Sequence, residues 1–444
     1  MYRTSSFPEG SGVNPWFELS RYKEHKFKEP SEINNSYDYV VVGAGFGGVS
    51  AAFRLSENNP SAKIALLDAL PVGYYSSGRN AGFVTIAQVA KALIGFDHFT
   101  LDDQRWLLHL NKTVVSRIEK IKEQSRLDFE WRQDGMYKAV REKRNVAALD
   151  ALEGHLQRLG LGYERLKGED LSSRLGTSFY KDAIYVKDTI LNNPSEVIRG
   201  LASALPSNVS VFENTKVVEV EEGAIPKVIL SDGREIVTRQ IILTVNAFLS
   251  RFGFASASNV AAIHSYGALT RVLTDSELEN FKNVRPWGIT ATHPSGATLR
   301  FTPDHRIFVR TDIDFATNLN ISQKKFDRSD FFLRRAFIRR FPELENVEFE
   351  YKYGGLISFT GNTRPLFGEV AKNIYAGVTS DGTGVTRAAI LGTYLADLIQ
   401  HRDSSELDYI KRAYHPSYLP PEPLRTLGAT AFLKYKDLYA GSEL

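Results

Sequence analysis

Residues 37–48 have the sequence Tyr-Asp-Tyr-Val-Val-Val-Gly-Ala-Gly-Phe-Gly-Gly, and this stretch predicts the fold. Residues 37–42 are mostly β-branched or aromatic and too few for a helix, so they predict a buried parallel strand. After the glycines, small and apolar residues recur at helical spacing up to Ser56, and residues 63–67 supply a second strand. The result is one βαβ unit of about 30 residues, the usual size.

The glycines of this turn have separate tasks in a dinucleotide-binding fingerprint. Gly43 permits the tight turn out of the strand, Gly45 leaves room for a pyrophosphate, and Gly48 lets the helix pack close to the strand. The phosphates then lie at the helix N-terminus, where free N–H groups favour negative charge. Asp68 ends the second strand about 20 residues after Gly48, where a carboxylate accepts hydrogen bonds from an adenosine ribose. The sequence therefore predicts a bound dinucleotide, either FAD or NAD.

Two later segments favour FAD. Residues 76–82, Ser-Ser-Gly-Arg-Asn-Ala-Gly, form a polar loop suited to passing beneath a cofactor, although by itself the loop also fits an ordinary surface position. Residues 373–385, Asn-Ile-Tyr-Ala-Gly-Val-Thr-Ser-Asp-Gly-Thr-Gly-Val, predict a second strand, glycine turn and helix. A helix N-terminus at that turn suits the pyrimidine side of an isoalloxazine ring and stabilises the negative charge of reduced flavin. An NAD dehydrogenase with one Rossmann domain has no obvious use for a second glycine turn so late in the sequence.

The composition narrows the possible chemistry. The chain has 444 residues, no cysteine and a formal net charge of +3. Without cysteine there is no Cys₂His₂ zinc site, thiol catalysis or cysteinyl-linked flavin, so we expect non-covalent FAD and no metal. The small net charge gives no argument for a nucleic-acid partner. We expect a cytoplasmic protein without a membrane span, because the N-terminal residues lack an apolar signal region and no apolar run approaches the roughly 20 residues that cross a bilayer.

Hydrophobic spacing along the chain predicts an α/β fold with two discontinuous domains. It predicts helices over 101–124, 146–159, 327–341 and 385–399, strand clusters over 208–244, 260–312 and 347–358, and a C-terminal segment that is irregular until about Phe432. We predict an N-terminal arm (1–36), a Rossmann-type FAD-binding domain with a parallel sheet (37–100, 195–255 and 355–400), an α+β substrate domain with an antiparallel sheet (101–194 and 256–354), and a tail (401–444) that packs on the FAD-binding domain.

The cofactor segments together resemble the D-amino-acid oxidase/glycine oxidase superfamily of FAD-dependent oxidoreductases, and within it the gamma-glutamylputrescine oxidoreductase-like branch. The resemblance covers roughly residues 12–435. It includes the loop 76–82, the strand end Leu-Thr-Val-Asn-Ala at 243–247, the glycine-rich segment 354–368 and the proline-rich segment 419–425. Asn362 and Tyr353 depart from the pattern, since many relatives carry Asp and Trp there, and these departures concern the substrate. The predicted FAD contacts are Gly43, Gly45, Phe46, Gly48, Asp68, Ala69, Ser77, Gly78, Arg79, Asn80, Ala81, Gly82, Val217, Asn246, Gly382, Thr383, Gly384 and Val385.

The resemblance implies an enzyme that oxidises the C–N bond of an amine or amino acid by hydride transfer to flavin N5, giving an imine that hydrolyses, with oxygen or another electron acceptor. Such chemistry depends on positioning more than on an acid–base pair. Two alternatives stay open, an NAD-linked dehydrogenase and a flavin-binding regulatory protein without turnover. The candidate substrate contacts are Arg300, Arg310, Arg364, His264 and Tyr266; arginine is suited to a carboxylate, but each of these residues also fits a structural role. The substrate, its stereochemistry, the catalytic residues and the oligomeric state stay open.

Overall fold

Two large sheets organise the protein in the computed structural model, which describes residues 1–87, 99–293, 295–379 and 381–444. The first, the nucleotide sheet, has six strands, of which five are parallel and the edge strand Leu366–Ala371 is antiparallel. In order across the sheet they are Leu366–Ala371, Ile374–Val378, Gln240–Leu243, Tyr39–Val42, Ile64–Leu67 and Val209–Phe212. This confirms the predicted parallel sheet of a Rossmann-type domain.

The central strands of the nucleotide sheet are buried on both faces. All four residues of Tyr39–Val42 and of Ile64–Leu67 are buried. Helices Phe46–Asn58 and Gly384–Ile399 cover one face, and a small sheet that contains Val217–Glu221 covers the other. The two helices touch at glycine, because a β-carbon on Gly392 would lie 1.9 Å from the carbonyl oxygen of Gly47. Continuous apolar runs are what a doubly covered parallel sheet requires.

The second sheet has eight strands and is almost entirely antiparallel. In order they are Phe349–Phe359, Ala261–Thr270, Ile307–Phe315, Thr298–Phe301, Trp287–Ala291, Met136–Val140, Asp182–Val186 and Tyr163–Lys167. One pair departs from the expected antiparallel pattern, since Met136–Val140 and Trp287–Ala291 run parallel. That pair joins segments about 150 residues apart in the sequence, and it widens the sheet beside the candidate site described below.

Two smaller sheets and the helices complete the described fold. The smaller sheets contain Tyr2–Arg3, Val217–Glu221, Lys227–Leu230 and Glu235–Val237, and Phe83–Thr85 with Thr189–Leu191. The helices are Pro15–Glu18, Phe46–Asn58, Leu101–Gln124, Val146–Arg158, Gly168–Leu175, Pro194–Ser203, Gln323–Arg340, Gly384–Ile399, Ser405–Ala413 and Leu424–Ala440. None of the helices in the described ranges is long and apolar enough to cross a membrane.

Helix Leu101–Gln124 begins and ends where the sequence predicts, but it packs elsewhere than expected. We assigned it to the substrate domain. Instead, its buried side chains enter the core of the nucleotide sheet or lie against helix Gly384–Ile399: Leu110, Val114, Val115 and Ile118. Hydrophobic spacing located the helix correctly, but spacing does not say which part of the fold the apolar face of a helix covers. The rest of the division into domains stays a prediction.

The N-terminal arm contains regular structure and is built into the fold. Tyr2–Arg3 pairs with strand Val217–Glu221, and Pro15–Glu18 forms a short helix. Trp16 and Phe17 of the arm are buried and anchor it to the rest of the protein.

The C-terminal residues 401–444 differ from the prediction. They are not irregular until Phe432, because helix Leu424–Ala440 begins directly after Pro423, a place where proline is tolerated. Among the described residues, this helix packs mainly against a different part of the protein than the predicted FAD-binding domain. It places its buried side chains on the second sheet: Ala429 and Leu433. Helix Ser405–Ala413 does pack beside Gly384–Ile399, as expected.

Candidate functional site

Close backbone approaches hold the fingerprint turn and require glycine. Gly43 has a φ of +100°, and its N–H donates to the carbonyl oxygen of Leu67 at 2.7 Å. A β-carbon on Gly48 would lie 1.8 Å from the carbonyl oxygen of Gly43, so any other residue would push the helix away. A β-carbon on Gly45 would lie 2.4 Å from Oγ of Ser77. The glycines therefore bring the turn, the helix and the loop 76–82 together.

The start of helix Phe46–Asn58 is suited to an anion. Its N-cap is Gly45, which offers no capping side chain, and the N–H of Phe46 reaches Oγ of Ser77 only at 3.4 Å. The first N–H groups of a helix lack partners within the helix and carry the positive end of its dipole. The turn therefore fits the pyrophosphate of a dinucleotide.

Asp68 binds the fingerprint turn from the end of the neighbouring strand. Its Oδ2 accepts a hydrogen bond from the N–H of Ala44 at 2.7 Å, and its Oδ1 accepts one from Leu70 at 3.0 Å. Burial raises the pKa of Asp68 to about 6, although the backbone donors oppose the shift. Each carboxylate oxygen can accept more than one hydrogen bond, so Asp68 can bind the backbone of the turn and the ribose hydroxyl groups at the same time.

Arg79 ties two distant segments, and the residues just before it, to the loop 76–82. Its guanidinium donates to the carbonyl oxygens of Ser11 at 2.7 Å, Gly354 at 2.8 Å and Tyr74 at 3.0 Å. Burial lowers the pKa of Arg79, and the carbonyl contacts compensate for its lost hydration. Arg79 therefore fixes the N-terminal arm and a strand of the second sheet around the loop.

Asparagine side chains shape the same loop. Asn80 donates to the carbonyl oxygen of Ser77 at 2.7 Å and accepts from the N–H of Gly82 at 2.8 Å. Asn246 donates to Oγ of Ser76 at 3.3 Å. This hydrogen bond joins the loop 76–82 to the strand end 243–247. Two segments that both contact one cofactor must lie close together, and these two segments do.

The late glycine turn lies beside these segments and begins helix Gly384–Ile399. Gly382 has a φ of +81°. Behind the turn, the guanidinium of Arg387 lies 3.5 Å from Oδ2 of Asp381. Ser380, which belongs to the predicted turn, lies outside the described residues.

A cavity of about 410 Å³ joins the cofactor segments to one face of the second sheet. This volume is in the range of small-molecule sites. Among the predicted FAD contacts, the cavity is lined by Gly45, Phe46, Ser77, Arg79, Asn80, Ala81, Asn246, Gly382, Thr383, Gly384 and Val385. It does not reach Gly43, Gly48, Asp68, Ala69, Gly78, Gly82 or Val217. Several of these residues instead allow two backbone segments to approach closely. A β-carbon on Gly78, for example, would lie 1.7 Å from the carbonyl oxygen of Gly73.

Arg310 is the one of the five candidate substrate contacts that lines the cavity. Arg300 extends from the same face of the sheet but is engaged elsewhere. It donates to the carbonyl oxygen of Asn192 at 2.6 Å and lies 3.3 Å from Oε1 of Glu130. Arg300 is not among the residues that line the cavity, and its guanidinium joins the second sheet to Asn192 and Glu130.

The other three candidates lie away from the cavity. His264 and Tyr266 belong to the opposite face of their strand, where both contact Asp314, at 3.4 Å and 2.7 Å respectively. Arg364 forms an ion pair with Asp103 at 2.9 Å. These ion-pair and hydrogen-bond partners are distant in sequence, so residue type alone did not reveal them.

The guanidinium of Arg310 is half-buried beside neutral partners. Its Nη2 donates to Oγ1 of Thr298 at 2.7 Å, and its Nη1 reaches Oγ of Ser265 at 3.4 Å. Burial lowers the pKa of Arg310. Within the described part of the chain, no carboxylate lies within ion-pair distance of it.

Tyr353 lines the cavity and was not among the predicted site residues. The indole Nε1 of Trp16 donates to its hydroxyl at 3.0 Å. Burial raises the pKa of Tyr353 well above its ordinary value, so the phenol stays neutral. The only sequence signal was its departure from the family pattern.

The fold and the cavity define a class, a two-domain dinucleotide-binding flavoenzyme. Residues 38–398 match the DAO family, described as FAD dependent oxidoreductase. The chain belongs to this family and is an FAD-dependent oxidoreductase, which confirms the predicted cofactor and decides against the NAD alternative.

The relatives are similar over most of their length. The probable oxidoreductase OrdL of Haemophilus influenzae is 23% identical over 408 residues, which are 87% of this chain and 88% of that protein. Gamma-glutamylputrescine oxidoreductase of Escherichia coli is 22% identical over 428 residues, 93% of this chain and 96% of that protein. The crystal structure of glycine oxidase from Geobacillus kaustophilus superposes with a TM-score of 0.72 at 14% identity, covering 87% of this chain and all of that one (100%).

Proposed function

We propose that this oxidoreductase oxidises the C–N bond of an amine or amino acid whose carboxylate is bound by Arg310. The observation that carries the proposal is that this half-buried guanidinium lines the cavity with two hydroxyl groups, and no carboxylate among the described residues, as its side-chain partners. Burial lowers the pKa of Arg310, because its charge has lost part of its hydration without an anionic partner in the described part of the chain to replace it. A substrate carboxylate would offset that loss through charge-assisted hydrogen bonds.

The residues around Arg310 support a positioning role. When bound, FAD would supply the acceptor for a hydride from the carbon next to the substrate nitrogen, and water would hydrolyse the resulting imine. Tyr353 accepts a hydrogen bond from Trp16, which leaves its own O–H for an acceptor in the cavity. Arg310 and Tyr353 are both cross-strand neighbours of Gly267, so one substrate group lies within reach of both. Their contacts would orient the substrate, and orientation is the main requirement of this chemistry.

The names of the similar proteins agree with this proposal. Glycine oxidase is named for an amino acid, and gamma-glutamylputrescine oxidoreductase for an amine derivative. The alternative of a flavin-binding regulatory protein predicts that no such compound reduces the flavin.

The test is anaerobic mixing of the FAD-loaded protein with matched pairs of amines that differ only in a carboxylate, such as glycine with methylamine and 4-aminobutyrate with propylamine. We expect carboxylated members to bleach the visible flavin band faster than their partners. Readmission of air then shows whether oxygen is the electron acceptor. If no amine or amino acid in a broad panel bleaches the flavin, the proposal is wrong and the regulatory alternative is favoured.

A further inference from the structure

Arg310 belongs to a continuous row of residues that crosses six strands of the second sheet. Each member is the direct cross-strand partner of the next, and all of them line the cavity. In order the row is Tyr353, Gly267, Arg310, Thr298, Thr290 and Lys138. Direct cross-strand partners point to the same face of a sheet, so this row forms a wall of the cavity.

The row places a second cation, Lys138, at its far end. Arg310 and Lys138 are separated by three inter-strand steps, or about 14 Å at about 4.8 Å per step. Lys138 lies on the strand that pairs in parallel with Trp287–Ala291, so it is the unexpected parallel pairing that brings it to the cavity. Three cationic side chains, Arg79, Lys138 and Arg310, line the cavity against one carboxylate, Asp381, among the described residues. The cavity therefore favours anionic ligands.

Hydroxyl groups beside Lys138 add hydrogen-bonding capacity at this end. The Oγ1 atoms of Thr290 and Thr292 are buried and have no hydrogen-bond partner among the described residues. A buried hydroxyl without a partner is costly, and rotation about χ1 exchanges the hydroxyl and methyl groups of threonine. Both side chains line the cavity, so such a rotation offers a donor to a ligand there.

We propose that the far end of the row, formed by Lys138, Thr290 and Thr292, is a second anion subsite, and that the substrate is an amine with two carboxylates at the ends of a long spacer. The proposal rests on the proposed function for the carboxylate at Arg310. After about 3 Å for each contact, the two subsites leave roughly 8 Å between the carboxylates. A short dicarboxylate cannot reach both subsites, whereas a chain of about eight carbons reaches both.

The test measures binding without turnover, by calorimetry and by perturbation of the flavin spectrum of the FAD-loaded protein. The probes are suberate, the monocarboxylate octanoate of the same chain length, and the short dicarboxylate succinate. We expect suberate to bind at least tenfold more tightly than either of the others. Equal affinities for suberate and octanoate in the unmodified protein would overturn the proposal without any variant.

Variants locate the preference. Lys138→Met keeps the aliphatic stem and removes the charge, and it should abolish the preference for suberate while leaving octanoate affinity within about twofold. Thr290→Val should weaken suberate binding at least threefold with Lys138 in place. Lys181→Met, an exposed residue outside the cavity, is the matched control and should change nothing. A preference that survives in Lys138→Met refutes this subsite. Failure of every amine to bleach the flavin is a separate result that refutes the proposed function instead.

Discussion

Replacement of Arg310 by methionine should separate binding of the substrate carboxylate from the oxidation itself. A guanidinium has five N–H donors, and the structure uses one at 2.7 Å and one at 3.4 Å, so at least two are available for a carboxylate. Hydrogen bonds to charged groups contribute about 1.5–3 kcal/mol each, so loss of two costs about 3–6 kcal/mol. The expected fall in kcat/KM for a carboxylated amine is therefore about 10²- to 10⁴-fold.

The same substitution should stabilise the protein in the absence of substrate. Arg310 is a half-buried cation whose side-chain partners are two hydroxyl groups, and burial lowers its pKa, so an apolar side chain of similar length removes a desolvation cost. We therefore expect a higher melting temperature for Arg310→Met. A rise in stability together with a fall in kcat/KM would indicate that the charge of Arg310 serves substrate binding and not folding.

The assay is anaerobic stopped-flow reduction of the flavin by an amine and by its carboxylated partner, with melting curves of each variant. Arg310→Lys keeps the charge but loses the bidentate geometry, so it should give an intermediate loss. Arg105→Met, at an exposed position of helix Leu101–Gln124, is the control. Equal losses on both members of a substrate pair, or a lower melting temperature for Arg310→Met, would show that Arg310 is structural and would refute the reasoning.

Two further substitutions test the cofactor segments. Gly48→Ala places a β-carbon 1.8 Å from the carbonyl oxygen of Gly43, so it should weaken FAD binding by at least about tenfold, measured by fluorescence titration of the apoprotein. Asp68→Asn replaces a charged acceptor by a neutral one and should weaken FAD binding about tenfold at neutral pH. Burial raises the pKa of Asp68 from 3.8 to about 6, so the folded apoprotein binds the carboxyl proton more tightly than the unfolded chain does. The folded apoprotein therefore loses stability as the pH rises through that interval and Asp68 ionises. Melting curves of the wild-type apoprotein against Asp68→Asn should therefore diverge over the same interval, and FAD affinity of the wild type should fall below about pH 6.

Each of these variants has an internal check. Gly428→Ala lies in a helix where an added β-carbon meets nothing within 4 Å, so it should raise stability by about 0.5–1 kcal/mol and leave FAD affinity unchanged. If Gly48→Ala binds FAD normally, the close approach of helix and strand is not what the cofactor requires. A pH dependence that is identical in the wild type and in Asp68→Asn would assign the titration to another group.

The cofactor half of the site could be predicted because its determinants are local. The strand, the glycine turn, the helix and Asp68 all lie within residues 37–68, so spacing alone orders them. The bounds of helix Leu101–Gln124 were predicted for the same reason, since its hydrophobic period is a local feature. Its partner was assigned wrongly, because the apolar stripe does not specify which sheet it covers.

The substrate half depended on pairings between distant segments. Arg300 and Arg310 lie on adjacent strands and point to the same face of the second sheet. They differ in their partners, because Arg300 contacts Asn192 and Glu130, which are distant from it in the sequence. The ion pair of Arg364 with Asp103 could not be predicted either, because the two residues are distant in sequence. Lys138 had no sequence signal, because a parallel pairing across about 150 residues places it in the cavity.

The most direct measurement of the central claim is anaerobic titration of the FAD-loaded protein with amines in carboxylated and uncarboxylated pairs, followed at the visible flavin band. We predict complete bleaching by at least one carboxylated amine, a much slower response to its uncarboxylated partner, and loss of that difference in Arg310→Met. A flavin that every amine and amino acid leaves oxidised, or one reduced equally well by both members of each pair, would contradict the proposed function.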